Sequence, residues 1–228
     1  MRADDVRILE RRPVATGFVS VATYRLRFRR FDGSWTSEVV RDLCERGEAV
    51  AVLPYDASRD AVLLVEQFRT GALQDPDTSW LMEPVAGVME AGEDAADVAA
   101  REAHEEAGLT IEALDPVAFS YPSPGILSER VHHFIGRADL SGGTGLFGND
   151  HEHEDIRTHI VAADEAIAWA GDGRVRTATG VITLLWLALH RERLRRAWAG
   201  RVGSTRRVDQ GGQKKGRRAP QKQRNPFG

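Results

Sequence analysis

The chain has 228 residues, 42% hydrophobic and 29% charged, the make-up of an ordinary globular protein with room for one good core. No run approaches the roughly 18 apolar residues that a membrane span needs, and the start, Met-Arg-Ala-Asp-Asp-Val, has no apolar stretch behind a basic one. The lone Cys44 excludes an intramolecular disulfide and fits a reducing compartment, so the expected setting is cytoplasmic with no membrane contact. The net charge of −3 conceals an asymmetry: from Arg201 onward nine basic residues stand against one acid, Asp209, which makes that tail +8 and leaves residues 1–200 at −11.

Residues 1–45 read as an N-terminal antiparallel β-sheet. Tyr24, Leu26 and Phe28 alternate with Arg25, Arg27 and Arg29, the two-residue repeat of a half-exposed strand. Asp32-Gly33 supplies a hairpin turn into a strand over 35–40. Three strands bury little surface alone, so this piece must pack on the rest of the chain or on a second copy. Next, 49–53 and 61–65 form a hairpin around the turn-rich 56–60, and 81–86 leads into residues 87–109. There Asp94 or Glu93 begins a helix and Gly108 ends it in the left-handed C′ position. Ala96, Ala99, Ala100, Ala103 and Ala107 lie on one side of it, small enough to seat the helix close to a sheet. Strands are expected near 117–121, 131–135 and 156–161, and helices near 163–170 and 179–198. Helices that do not strictly alternate with strands favour an α+β fold over a doubly wound one. The main domain then spans 46–200. Residues 201–228 are too polar and basic to order themselves and read as a disordered tail. No aromatics are interleaved with the tail's basic residues, so no specific nucleic-acid partner is expected.

The helix poses a chemical question. Glu102, Glu105 and Glu106 stand at i, i+3 and i+4, where like charges repel. The arrangement becomes favourable if hard divalent cations sit between the carboxylates, because Mg²⁺ takes oxygen ligands and keeps several waters. Glu93, at the helix entrance, reaches back toward the same cluster, and Arg101 pairs with Asp97 or Glu105. An acidic helix face is more often simply solvated. What decides here is the full pattern, Gly87, Glu93 and Arg101-Glu102-Ala103-His104-Glu105-Glu106-Ala107-Gly108-Leu109, which matches G-x5-E-x7-R-E-U-x-E-E-x-G-U with U a bulky aliphatic. This resembles the Nudix hydrolase box. Its one departure is Ala103 at a U position, where a smaller residue alters only packing.

That resemblance implies an α/β/α sandwich around a mixed sheet, and cleavage of a nucleoside diphosphate joined to another moiety. It implies Glu102 and Glu106 as the main Mg²⁺ ligands, with Mn²⁺ able to substitute and the Ala86 carbonyl completing the coordination. Glu105 would be a nearby ligand or water-mediated contact, while Arg101 and Glu93 would orient the carboxylates. Outside the box, Gly17-Phe18, Glu66-Gln67-Phe68-Arg69, Ser123-Pro124-Gly125, Ser128-Glu129-Arg130 and the loop 149–156 look like the ADP-ribose pyrophosphatase branch, over roughly residues 10–198. By that likeness Glu154 is a further metal ligand and Glu152 the general base that deprotonates the attacking water. Arg69 binds phosphate, Arg41 reaches phosphate or the terminal ribose, Glu129 lies near the catalytic centre, and Phe18 stacks on adenine. The branch also implies a homodimer that exchanges its N-terminal sheets, and products AMP and ribose 5-phosphate. The alternatives are a hydrolase of another nucleotide sugar such as GDP-mannose, or a non-catalytic domain that senses ADP-ribose.

Overall fold

A computed structural model of the chain describes residues 2–17, 19–149 and 153–198. Phe18, Glu152 and the tail 201–228, all singled out above, lie outside the described residues. Strands β1 (Val6–Ala15), β2 (Ser20–Phe28) and β3 (Val39–Glu45) form the antiparallel N-terminal sheet in the order β1-β2-β3. The turn falls at Asp32-Gly33, with Gly33 at φ 86°. The strand expected over 35–40 is displaced: Trp35 makes only an isolated bridge to Arg29, and the ladder resumes at Val39. The physical cause is local. The Phe28 N–H bonds the Thr36 side chain, and Trp35 is held between the guanidinium groups of Arg7 and Arg29, at 4.4 and 4.9 Å.

The hairpin of β4 (Glu48–Asp56) and β5 (Ala61–Phe68) turns where Asp56 accepts the Ser58 and Arg59 N–H groups. Its strands pair only at Tyr55↔Val62 and Asp56↔Ala61 and then separate. Into the gap come β6 (Trp80–Glu83), paired with β5, and β7 (Val85–Val88), paired with β4. Pro84 divides the two, since it has no N–H to give to a ladder. On its other side β4 runs parallel to β9 (Arg130–Arg137), which carries β8 (Ala113–Ser120) at the sheet edge. Strand β8 starts earlier than the expected 117 because a register shift at Pro116 absorbs the missing donor. Beyond β5 lie β11 (Ile156–Ala162) and the two-residue β10 (Leu146–Phe147), the latter unforeseen.

Helix α1 (Ala95–Ala107) covers one face of this eight-stranded mixed sheet, and α2 (Ala163–Asp172) with α3 (Ala178–Trp198) covers the other. The alternation along β4 and β5 makes both cores. Val50, Val52, Leu63 and Val65 pack toward α1, while Leu53, Tyr55, Val62 and Leu64 pack toward α2 and α3. The expected α/β/α sandwich is the observed architecture. Ala99, Ala103 and Ala107 are buried under α1 as the small-residue stripe requires, and Ala96 and Ala100 are half-buried. The end of β3 is tied to the loop before β9, with the Cys44 N–H on the Ile126 carbonyl and the Ser128 N–H on the Cys44 carbonyl. Among the described residues no helix is long and apolar enough to cross a membrane.

Candidate active site

The ends of α1 are fixed by the groups the sequence pointed to. Asp94 caps it by accepting the Ala96 N–H at 2.9 Å, and Gly108 takes a left-handed φ of 64° with its N–H on the last turn's carbonyls. Glu93 accepts the Glu90 N–H at 2.7 Å. Held this way, α1 lays Glu102 and Glu106 against β7 in the gap between β4 and β5. Glu106 is only 4% exposed and accepts the Ala86 N–H at 3.2 Å. Glu102 is pressed on Gly87, where a Cβ would stand 2.1 Å from its carboxyl carbon. Glu105, by contrast, points outward. Arg101 joins the set, 2.9 Å from Glu102, 3.3 Å from Glu105 and 3.8 Å from Glu93, and does not take the Asp97 alternative.

Electrically the two inward carboxylates are in an unfavourable place. Burial pushes Glu102 up to about 7; Arg101 opposes this, and repulsion from Glu105 and Glu154 adds to it. Burial likewise pushes Glu106 up to about 8, against the Ala86 N–H, with Glu102 and Glu154 repelling it and Arg69 attracting it. Arg69 stands at the end of β5 and donates twice to Glu83, at 2.8 and 2.6 Å, within reach of the charges on Glu106 and Glu154. Glu154 arrives from the loop before β11, its N–H on the Asn149 carbonyl and its backbone packed on Gly148. Five predicted residues from four parts of the chain, Arg69, Ala86, Glu102, Glu106 and Glu154, therefore share one locality, with Arg101 and Glu93 on its rim.

Residues 45–178 match the NUDIX domain family. The chain belongs to the Nudix family. The ADP-ribose pyrophosphatase of Escherichia coli (strain K12) is 43% identical over 196 residues, covering 86% of this chain and 94% of the relative. That of Haemophilus influenzae (strain ATCC 51907 / DSM 11121 / KW20 / Rd) is 36% identical over 197 residues, 85% of this chain and 91% of the relative. A crystal structure of an ADP compounds hydrolase shares the fold, with a TM-score of 0.64 at 21% identity over 87% of this chain and 97% of that one.

In this Nudix enzyme the donor set around Glu102 fits a divalent cation. Glu106 is buried and Glu102 half-buried, with more negative than positive charge about them, a neighbouring backbone segment carries the Ala86 carbonyl, and a third acid, Glu154, adds to the field. No three acids or imidazoles among the described residues stand close enough to form a complete cage. Two other predicted residues have partners elsewhere. Glu129 is 3.5 Å from Arg46, beside the Ser128 side chain that accepts the Arg46 N–H, and Arg41 is exposed on β3, bonding the Val40 carbonyl. One residue went unread in the sequence: Glu83, 6% exposed, the partner of Arg69. Its signal was a single acid inside the apolar run 80–88.

Proposed function

We propose that this Nudix enzyme hydrolyses the pyrophosphate bond of ADP-ribose, giving AMP and ribose 5-phosphate, with Mg²⁺ as its working ion. The observation that carries the reading is the pair of buried Glu106 and half-buried Glu102, two carboxylates whose charged forms are costly unless a cation joins them. The choice of ADP-ribose rests on the ADP-ribose pyrophosphatases that match most of the chain.

Glu102 and Glu106 would hold the divalent ion with the Ala86 carbonyl and Glu154, and that ion, when bound, neutralises the diphosphate and polarises it for attack. Arg101 keeps Glu102 in place through its contact with it, and Glu93 and Glu105 hold Arg101 from either side. Arg69, positioned by Glu83, offers its outer N–H groups to a phosphate oxygen. Glu152, two residues before Glu154, is proposed as the base that takes the water's proton. Phe18 would stack on adenine, Arg41 of β3 would reach the phosphates or the terminal ribose, and Glu129 would lie near the catalytic centre.

The same reading takes residues 1–45 as an element exchanged in a homodimer, 46–200 as the hydrolase domain and 201–228 as a basic tail, in a cytoplasmic protein. Support for the dimer lies in one face of the N-terminal sheet, where Val6, Ile8 and Phe28 stand exposed on β1 and β2. The test of substrate is a product assay with Mg²⁺ on ADP-ribose, GDP-mannose, ADP-glucose and NADH. ADP-ribose should turn over fastest; GDP-mannose ahead of it would transfer the chain to the other branch. Tight ADP-ribose binding without turnover would favour a sensor.

A further inference from the structure

Away from the carboxylates, a long hollow follows the open edge of the eight-stranded sheet. Strand β10 covers only Ile156 and Arg157 of β11, and one more bond, from the Thr158 N–H to the Gly145 carbonyl at 3.0 Å, extends the contact. Past that point β11 has β5 on one side and no strand on the other among the described residues. Since Thr158 points its N–H outward, the two-residue repeat turns the N–H and C=O of Ile160 outward as well. A cleft of about 650 Å³ runs along this edge, and a second of about 320 Å³, sharing Leu146 and Arg157 with it, continues over the sheet face across β5 to β6. Trp169 lines one and Trp80 the other.

The lining has a definite chemistry. Glu66, Asp155 and Glu165 supply three carboxylates; Arg157 and His159 stand 3.5 and 2.9 Å from Glu66, and Arg174 stands 4.0 Å from Glu165, so the acids outnumber the two guanidinium groups. Trp80 is 52% exposed, with Phe68 packed on its edge at 5.4 Å. Trp169 already takes the Arg174 guanidinium over its ring at 4.7 Å, and its buried indole N–H meets no acceptor among the described residues. An open strand edge, surplus negative charge and indole faces together fit an extended basic peptide.

The chain carries such a peptide, and it begins close by. At the end of α3, Trp198 lies against Tyr55 and Arg195 is 3.7 Å from Asp60. The Asp60 carbonyl accepts the N–H of Ala163, whose neighbour Ala162 lines the larger cleft. Residues 201–228 then bring nine basic side chains and one acid. Fully extended they span about 90 Å, several times the length of β11. We propose that this C-terminal segment lies along the open β11 edge beside Trp169 and continues over the sheet face to Trp80, its basic side chains on Glu66, Asp155 and Glu165. It covers a strand edge that would otherwise template pairing with other chains. By the alternation of β5 and β6, Glu66 and Trp80 face away from α1, so the segment occupies the side of the sheet opposite Glu102 and Glu106.

The lysines make the test clean, because all three (Lys214, Lys215 and Lys222) lie in this segment. A zero-length carbodiimide reagent that joins lysines to carboxylates therefore reports the segment and, apart from it, only the N-terminal amine. On the full chain, as an equal mixture of ¹⁴N- and ¹⁵N-labelled copies, the expected links run within one chain from these lysines to Glu66, Asp155 and Glu165. They should fade at about 0.5 M NaCl, where exposed charges are screened. Deleting 201–228 should speed amide exchange at Ile160 by about tenfold or more, while kcat stays within about twofold. Links scattered over other acids, links only between chains, or an Ile160 exchange rate indifferent to the deletion would each overturn the proposal. So would a segment that is captured by an RNA oligonucleotide at physiological salt and makes no groove links.

Discussion

Gly87 and Glu102 meet in a contact that only a glycine permits. A Cβ at position 87 would stand 2.1 Å from the carboxyl carbon and Oε1 of Glu102, although the backbone there is not in the left-handed region. The glycine opening the box is thus explained by space. It lets the α1 carboxylate lie flat on β7, next to the Ala86 backbone.

Gly87→Ala follows from this as the most local test of the site. The methyl group must push Glu102 away from β7, so turnover should fall about 10–100-fold and the Mg²⁺ concentration for half-maximal activity should rise. The far-ultraviolet circular dichroism should not change. A variant with normal Mg²⁺ dependence would mean that Glu102 does not act through the ion.

Glu106→Gln should separate function from stability. Turnover of ADP-ribose should drop by more than about 100-fold, because a carboxylate proposed to hold the ion is lost. In chelator at pH 8.5 the same variant should melt higher than the parent by several degrees, since a buried carboxylate has been replaced by a neutral amide. Calorimetry with and without Mg²⁺ reads both arms. A lower melting temperature in chelator would contradict the burial argument.

The pH dependence has a defined sign. In the folded chain Glu102 and Glu106 lie at about 7 and 8, above the ordinary 4.5. Their protonated forms favour the folded state, so this contribution is complete below about 4.5 and is lost as pH rises through 7 and 8. His133 works at the other end. Burial holds it down at about 4 against an ordinary 6.5, so its effect is confined to acid. Between pH 6.5 and 9 the melting temperature of metal-free protein should therefore fall. Saturating Mg²⁺ should flatten the slope, because the ion replaces the protons. A metal-free melting temperature that is level or climbing across this window would refute the assignment.

Arg69 has two tasks that a pair of substitutions can part. Arg69→Ala leaves Glu83 buried without its partner and should cost about 1–3 kcal/mol of stability, together with a higher KM for ADP-ribose. Adding Glu83→Gln should recover most of the stability and none of the KM. Recovery of both would make Arg69 a structural ion-pair partner and nothing more.

The exposed face of the N-terminal sheet predicts its own assay. Ile8 is 61% exposed and pairs with Leu26 on the same face as Val6 and Phe28. Ile8→Arg should halve the mass seen by light scattering at micromolar concentration and weaken ADP-ribose hydrolysis in the same step. A parent protein that already scatters as a monomer would remove the dimer from the proposed function.

Much of the architecture was legible along the chain because it is written in local rules. The alternation in β2, the turn at Asp56–Asp60, the Asp94 cap and the Gly108 stop of α1 each depend on neighbours a few residues apart, and each was placed to within a few residues. What was misread had a tertiary cause. The strand over 35–40 gave way to the Arg7–Trp35–Arg29 stack, and 81–86 divided at Pro84 because β4 and β5 separate and each takes its own partner.

The spacing of Glu93, Arg101, Glu102, Glu105 and Glu106 by itself determined that this helix carries a charged face and named its family, since helical periodicity is a one-dimensional property. Which of those acids matter was decided only in three dimensions. Glu102 and Glu106 are raised because they are desolvated against β7, Glu105 stays in water, and Arg69, Glu83 and Glu154 come to them from remote parts of the chain. Burial is a property of what packs on a residue, and no run of neighbours along the chain records it.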